Sequence, residues 1–430
     1  MQHFSARKDS TAHTRVLLGP AARMLAAIAM AGVFGAAGCA GHQSYTQAHK
    51  SSARLKMDGL KAATEHQMAL QAFHSGDLQK ALKHCDYSIT LNDKVVRSQL
   101  LRGRIMLEMG NLEDSAAAFA KARELGPEDA EVFYYTGLLA ERVNDSQGAV
   151  EAFTKACELD TSNPQYAIAA AENMIDLKQI NQADAFLVER ADQFKHNPGI
   201  RQLRGHIQLM RGNPDAAAKL FADARLLAPD DASITEDLAR TQIEIGEFGQ
   251  AEANLLRLLK RPEFAERIDL KILRSECLIQ LGRVVDARSI LIDVTNTDEG
   301  ATNIEAWTLL AKVSLEVNDL GRARQAAARL VALQPKQPEG YVLRAMVQRQ
   351  AGELAEAQAS LERAIAIRPD APTLTLFGMI LSDQGNHAAA GRAYAKALQI
   401  DPAYEPAQRL SNASVATQTT GTVTDANSGN

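Results

Sequence analysis

The side chains in this chain that are able to do chemistry are scattered, and their spacing excludes most of the chemistry open to them. Its ten histidines stand apart from one another. The sequence holds no G-x-x-x-x-G-K-[ST] phosphate loop, no G-x-S-x-G nucleophile turn and no H-E-x-x-H helix, so P-loop nucleotide hydrolysis, serine hydrolysis and zinc proteolysis are not indicated. The four cysteines, Cys39, Cys85, Cys157 and Cys277, include no C-x-x-C pair, which removes zinc-clip and thioredoxin-like readings. In the register described below, the last three fall in different repeats. A disulfide needs Cα atoms within about 7 Å, so these three are expected as buried or partly buried thiols. The formal net charge is −5, and the basic residues Arg7, Lys8, Arg15 and Arg23 lie in the first 38 positions, leaving the rest more acidic still. Such a balance gives no support for nucleic-acid binding.

Cys39 has a different setting. Residues 1–23 are polar and basic, and residues 24–38 carry no charge. A membrane-spanning helix needs about 20 apolar residues, so this shorter run reads as the apolar stretch of a secretory signal peptide. It ends in Ala36-Ala37-Gly38-Cys39. That tetrapeptide resembles a bacterial lipobox, whose cysteine is acylated and becomes the first residue of the mature protein; Ala36 stands where Leu is usual. The resemblance implies a covalent lipid on Cys39. Because Ala40 is not the Asp that marks inner-membrane retention, it also implies the outer membrane of a Gram-negative cell, facing the periplasm. Acyl chains anchor through about 0.8 kcal/mol per buried CH₂. Ordinary cleavage, giving a soluble periplasmic protein, is the alternative. Residues 40–57 are polar and read as a tether.

The elements that must position the remaining polar residues come from an internal repeat. From Ala62 the chain repeats with a period of 34, with units starting at Ala62, Val96, Ala130, Pro164, Pro198, Ala232, Ile268, Ile304, Pro338 and Ala371. The eighth position is always small, as at Ala69, Gly103, Gly205 and Gly378. The twentieth is Ala throughout, from Ala81 to Ala390, with Ser115 the one exception. Helices that cross closely need small residues at the crossing. The fifteenth is Gly or Asn in every unit but the fourth, as a helix reversing into its partner requires a left-handed residue. Lys178 breaks that pattern, and the fourth unit is expected to be irregular there. Proline at position 32, as in Pro127 and Pro369, stops the second helix. Composition agrees: 46% apolar but only 5% aromatic residues, rich in Ala, favours close-packed helices.

This pattern is similar to the tetratricopeptide repeat signature. The ninth unit carries it plainly in Tyr341, Ala345, Gly352, Ala357, Leu361, Ala364 and Pro369, and Trp307 falls at the fourth position of the eighth unit, where the family often has Trp. The resemblance implies an all-α, right-handed α-solenoid of about ten helix-turn-helix repeats. The expected organisation is a signal peptide over 1–38, a lipidated cysteine and tether over 39–61, repeats over 62–404, and a short cap with a disordered tail over 405–430. In this family the inner surface is lined by positions two, five, nine and twelve of the first helices. Carried onto units two to six, that surface comprises Arg97, Arg104, Glu131, Tyr134, Glu141, Gln165, Glu172, Gln202, His206, Glu236 and Arg240. Arg and Tyr there suit anchors for an extended or helical peptide. His206 is the histidine best placed for a function, although a groove-wall residue without chemistry is the plainer expectation. No unit pairs Lys at position five with Asn at nine, as chaperone-tail binders of the family do, so that ligand is excluded.

Export leader, lipid and helical scaffold together resemble envelope-assembly lipoproteins, among them Tad/Flp pilus lipoproteins, type IV pilus pilotins and exopolysaccharide-export scaffolds. The resemblance implies a non-catalytic scaffold whose partners are other envelope proteins, with the membrane reached through the lipid and no nucleic acid involved. An accessory subunit presenting partners to a cell-wall-active enzyme is the alternative. No metal or cofactor is expected beyond the covalent lipid.

Overall fold

The structure, a computed structural model, describes residues 49–413, so Cys39 and the leader lie outside the described residues. Those residues form helices and short turns, with no strand among them. They divide between Gln179 and Ile180 into two compact units. The first holds α1 (49–74), α2 (Leu78–Leu91), α3 (Val96–Glu108), α4 (Leu112–Leu125), α5 (Ala130–Arg142), α6 (Ser146–Leu159) and α7 (Pro164–Asp176). The second begins with α8 (Ile180–Glu189), α9 (Pro198–Met210), α10 (Pro214–Leu227), α11 (Ala232–Glu244), α12 (Phe248–Leu259), α13 (Ile268–Gln280) and α14 (Val284–Thr295). It continues through α15 (Ile304–Glu316), α16 (Leu320–Leu333), α17 (Glu339–Gln350), α18 (Leu354–Ile367), α19 (Ala371–Asp383), α20 (His387–Ile400) and α21 (405–413). Each unit is a stretch of tetratricopeptide-type α-solenoid, built from helical hairpins.

Local chemistry explains the hairpins. Several first helices start at side-chain caps: the Asp129 carboxylate accepts from the N–H groups of Glu131 and Val132, and that of Asp231 from Ser233 and Ile234. Pro164 and Pro198 occupy the first helical position, where no N–H is needed. Each hairpin reverses through a left-handed residue. Lys178 adopts it too, at φ 63°. The Lys178 N–H donates to Ile175 O at 2.8 Å and the Gln179 N–H to Met174 O at 2.8 Å, the pattern seen around Gly110. The turn expected to be irregular is therefore regular, because its backbone hydrogen bonds outweigh the left-handed cost of a Cβ, about 1–2 kcal/mol. An irregularity does occur farther on. α8 has 10 residues where α10 has 14, and residues 190–196 run on as turns that bury Phe194. Arg190 closes the end of α8 by donating to Phe186 O at 3.0 Å.

The segment expected as a tether is helical from residue 49, running without a break into the first repeat. Once residues 62–74 are helical, extending the helix backwards over Arg, Lys, Leu and Met needs no new nucleus. At the other end, α21 places Ala407 against Ala371, Leu374 and Ala397. No described helix is long and apolar enough to cross a membrane.

The small eighth residues have a reason other than backbone approach. A Cβ on Gly205 would lie 2.5 Å from Cε1 of Phe221, and one on Gly137 2.5 Å from Cε1 of Phe153. Gly103 meets Phe119 and Gly378 meets Tyr394 in the same way. In all four cases an aromatic ring at position 24 fills the space a methyl group would take. Where the eighth residue is Ala, position 24 is smaller: Cys85 beside Ala69, Leu255 beside Ala239, Leu361 beside Ala345. The twentieth residues are buried throughout, and the Ser115 hydroxyl satisfies itself by donating to Gly103 O at 2.8 Å. Cys85, Cys157 and Cys277 are buried, and burial pushes the Cys85 thiol up to about 12 and that of Cys277 to about 11.

Candidate protein-binding surface

The inner-face residues fall in both units, and each set is built within its own unit. In the first, α1, α3 and α5 enclose a hollow of about 320 Å³ lined by His66, Leu70, Arg97, Leu100, Arg104 and Glu131. Arg104 does not project freely into it. Its guanidinium lies over Tyr135 at 4.4 Å from the ring centroid and over Phe73 at 5.1 Å, and it reaches Glu131 only loosely, at 3.7 Å. Its Nε is buried without a hydrogen-bond partner. Arg97 and Glu131 are exposed on the rim. Burial, and then the charge of Arg97, hold His66 below its ordinary value.

Tyr134 packs against Tyr135, Phe153 and Tyr166, with centroids 5.4, 5.5 and 5.1 Å away. Burial, then Glu141 and Glu172, push its phenol up. Glu141 accepts a 2.5 Å hydrogen bond from Nδ2 of Asn173. Glu172 has its carboxyl raised by its surroundings and then by the like charges of Glu141 and Asp176.

In the second unit, Gln202 and His206 converge on Asp237. Gln202 Nε2 donates to Asp237 Oδ2 at 2.7 Å and to the Ser233 hydroxyl at 2.8 Å, and His206 Nε2 lies 3.0 Å from Asp237 Oδ2. Burial works against the Asp237 carboxylate, but hydrogen bonds from His206 and Gln202 outweigh it and hold it below the usual range. Arg240 belongs to an ion network. It donates to Glu236 at 2.8 Å and to Asp269 at 3.1 Å, while Arg267 grips the same Glu236 at 2.6 Å. Position rules placed these residues on one face; they did not disclose that Phe73, Tyr135, Asp237 and Arg267 complete their surroundings.

Another hollow lies in the second unit, between α15, α17 and α19. It measures about 630 Å³ and is lined by Lys312, Glu316, Met346, Arg349, Leu376 and Asp383. A second hollow of about 310 Å³ shares Lys312 and Met346 and adds Val342 and Leu343. Met346 is 41% exposed, and Arg349 pairs with Asp383 at 2.6 Å across neighbouring repeats. The same position rule carried onward finds it, since Lys312 and Met346 hold position nine of units eight and nine. Among the described residues, no group of three His, Cys, Asp or Glu side chains comes together to hold a metal ion.

Three family models described as tetratricopeptide repeat match the chain, one over residues 100–164 and 308–372, a second over 208–268 and a third over 371–404. Among curated proteins, DnaJ homolog subfamily C member 7 of Homo sapiens is 27% identical over 192 residues, which are 41% of this chain and 38% of that protein. The chain thus spans well under half the length of that relative. Similar solved structures include a tetratricopeptide repeat protein from Parabacteroides merdae, 18% identical, covering 67% of this chain and 100% of that one with a TM-score of 0.41. PilW, a type IV pilus biogenesis factor, is 18% identical, with 46% and 93% covered and a TM-score of 0.40.

Proposed function

We propose, for a chain that belongs to the tetratricopeptide repeat superfamily, a protein-interaction scaffold anchored by a lipid on Cys39 in the bacterial outer membrane, where it docks components of a secretion, pilus or polysaccharide-export assembly. The observation that carries the scaffold reading is the presence, within each unit, of preformed hollows on the first helices. Between α15 and α19 an exposed Met346 lies among charged side chains at the rim, a surface suited to a peptide or a partner helix. Helical hairpins packed within a unit present such side chains without having to order them on binding. Nothing in the arrangement calls for catalysis, and the scaffold is proposed as non-catalytic. Ala36-Ala37-Gly38-Cys39 after an uncharged run supports the anchor.

Two measurements test the two halves. Cys39→Ser should abolish labelling by a clickable palmitate and release the protein from membranes; unchanged labelling would sink the anchor. A photocrosslinking residue at Met346 should capture envelope proteins that one at Val285, 63% exposed on the second helix α14, does not. Equal capture from both positions would reject the inner face as the docking surface.

A further inference from the structure

We infer that the inner face of the first unit selects a partner segment bearing one carboxylate and one cationic side chain on either side of an apolar or aromatic residue, the carboxylate meeting Arg97 and Arg104 and the cation meeting Glu141 and Glu172. This rests on the scaffold reading and adds the chemistry of the ligand to it.

The face is electrically divided. At the α3 end, two guanidinium groups and one carboxylate, Glu131, line the hollow: Arg97 is exposed, and Arg104 reaches Glu131 only at 3.7 Å. The aromatic faces under Arg104 hold its position without neutralising it. Its Nε is sealed in without a partner, so only the terminal nitrogens, which reach Glu131 loosely, are left for a ligand in the hollow that Arg104 lines. A carboxylate from a partner would meet the charge there. At the α7 end the balance reverses. Glu141 and Glu172 come from neighbouring repeats and are both exposed, and the 2.5 Å hydrogen bond from Asn173, the residue after Glu172, to Glu141 brings the two repeats together there; burial and then the like charges of Glu141 and Asp176 raise the Glu172 carboxyl. A cation placed between them offsets those like charges.

The junction of the two poles is aromatic. Tyr135 lies under Arg104, and Tyr134, against Tyr135 and Tyr166, lies within the field of Glu141 and Glu172. An apolar side chain resting on Tyr134 would set the spacing between the two charges. Complementary charge at both ends governs which partner docks and in which direction, and penalises segments of single sign.

The experiment uses the full chain and fluorescent peptides of one length with a central Leu-Tyr, flanked by Glu and Lys in either order, by two Gln, by two Glu or by two Lys. One Glu/Lys order should bind about ten-fold or more tightly than the Gln pair, measured by anisotropy. Glu172→Lys should move the preference to the Glu/Glu peptide, and Arg97→Glu to the Lys/Lys peptide; both positions are exposed, and unchanged circular dichroism verifies each fold. Binding that ignores peptide charge, binding of none of the peptides, or preferences unmoved by the two reversals would overturn the inference. If envelope proteins still crosslink at Met346 in that event, the scaffold reading survives and only the charge selection falls.

Discussion

Gly205 and Phe221 offer a direct measure of how the hairpins are held together. In an exposed helix, Gly→Ala stabilises by about 1 kcal/mol. Here the new methyl would stand 2.5 Å from Cε1 and 2.8 Å from Cδ1 and Cζ of Phe221, a ring with 0% exposure. Carbon atoms rest at about 3.5–4.0 Å, so the ring must retreat by roughly 1 Å into a site packed by Ala217 and Leu238. Overpacking of that kind costs about 1–3 kcal/mol, and the net effect of Gly205→Ala should be a loss of about 1 kcal/mol. Phe221→Leu should itself cost about 1–2 kcal/mol through the volume it vacates. In that background, however, Gly205→Ala recreates the Ala239–Leu255 pairing seen one repeat later and should stabilise by about 1 kcal/mol. The double-mutant cycle then gives a coupling of about 2 kcal/mol. Repeat arrays can unfold in stages, so hydrogen exchange of α9 and α10 amides should accompany the urea midpoints. If Gly205→Ala has the same effect in both backgrounds within about 0.5 kcal/mol, the glycine is not there to make room for the ring.

Three further outcomes follow from particular positions. Lys178→Gly should stabilise by about 1 kcal/mol, read as a raised urea midpoint, because the left-handed turn remains and its steric cost is removed. Ala217→Leu, at a residue with 0% exposure between Phe221 and Leu238, should cost about 1–3 kcal/mol; an unchanged thermal midpoint would show that position twenty is not at the hairpin contact. Glu172 has its carboxyl raised above the ordinary value of 4.5, so the folded state holds its proton more tightly than the unfolded state, and stability falls as pH rises through 4.5 to the raised value. Glu172→Gln should therefore raise the melting temperature at pH 7 and lose that advantage below about pH 4; a gap that widens on acidification would reverse the sign of the argument.

The repeat was legible because its constraints are local. A left-handed turn, a buried alanine and a helix start each depend on one residue and its neighbours, so a period of 34 exposes them directly. Position 24 was not legible by the same means. It holds Phe119, Phe153, Phe221 and Tyr394 in some units and Cys85, Leu255, Leu361 in others, which read singly is ordinary core variation. It acquires meaning only beside position eight, since the sum of the two volumes is what the hairpin fixes. Lys178 misled for the opposite reason. A single-residue propensity predicted irregularity in a turn whose two backbone hydrogen bonds, both 2.8 Å, decide its shape.

For the binding face, the register states which side of a helix a residue occupies but not what stacks against it from the adjacent repeat. Arg240 meets Asp269 29 residues away, Gln202 meets Asp237 35 away, and Asn173 meets Glu141 32 away. Such separations, close to one repeat, mark contacts that exist only once neighbouring units have stacked. Their effect is to turn residues that look like available anchors into structural ones. Arg240→Ala would loosen a network that also holds Glu236, Arg267 and Asp269, so lost partner binding in that variant could come from a disturbed surface as readily as from a missing contact. Arg97 and Glu172 are the better probes, because each is exposed and each lies at a pole where charges of one sign outnumber the other. A surface whose charges are already paired can support a fold; one with an excess at each end still has unmet electrostatic demand, and the partner that meets it is the one it will select.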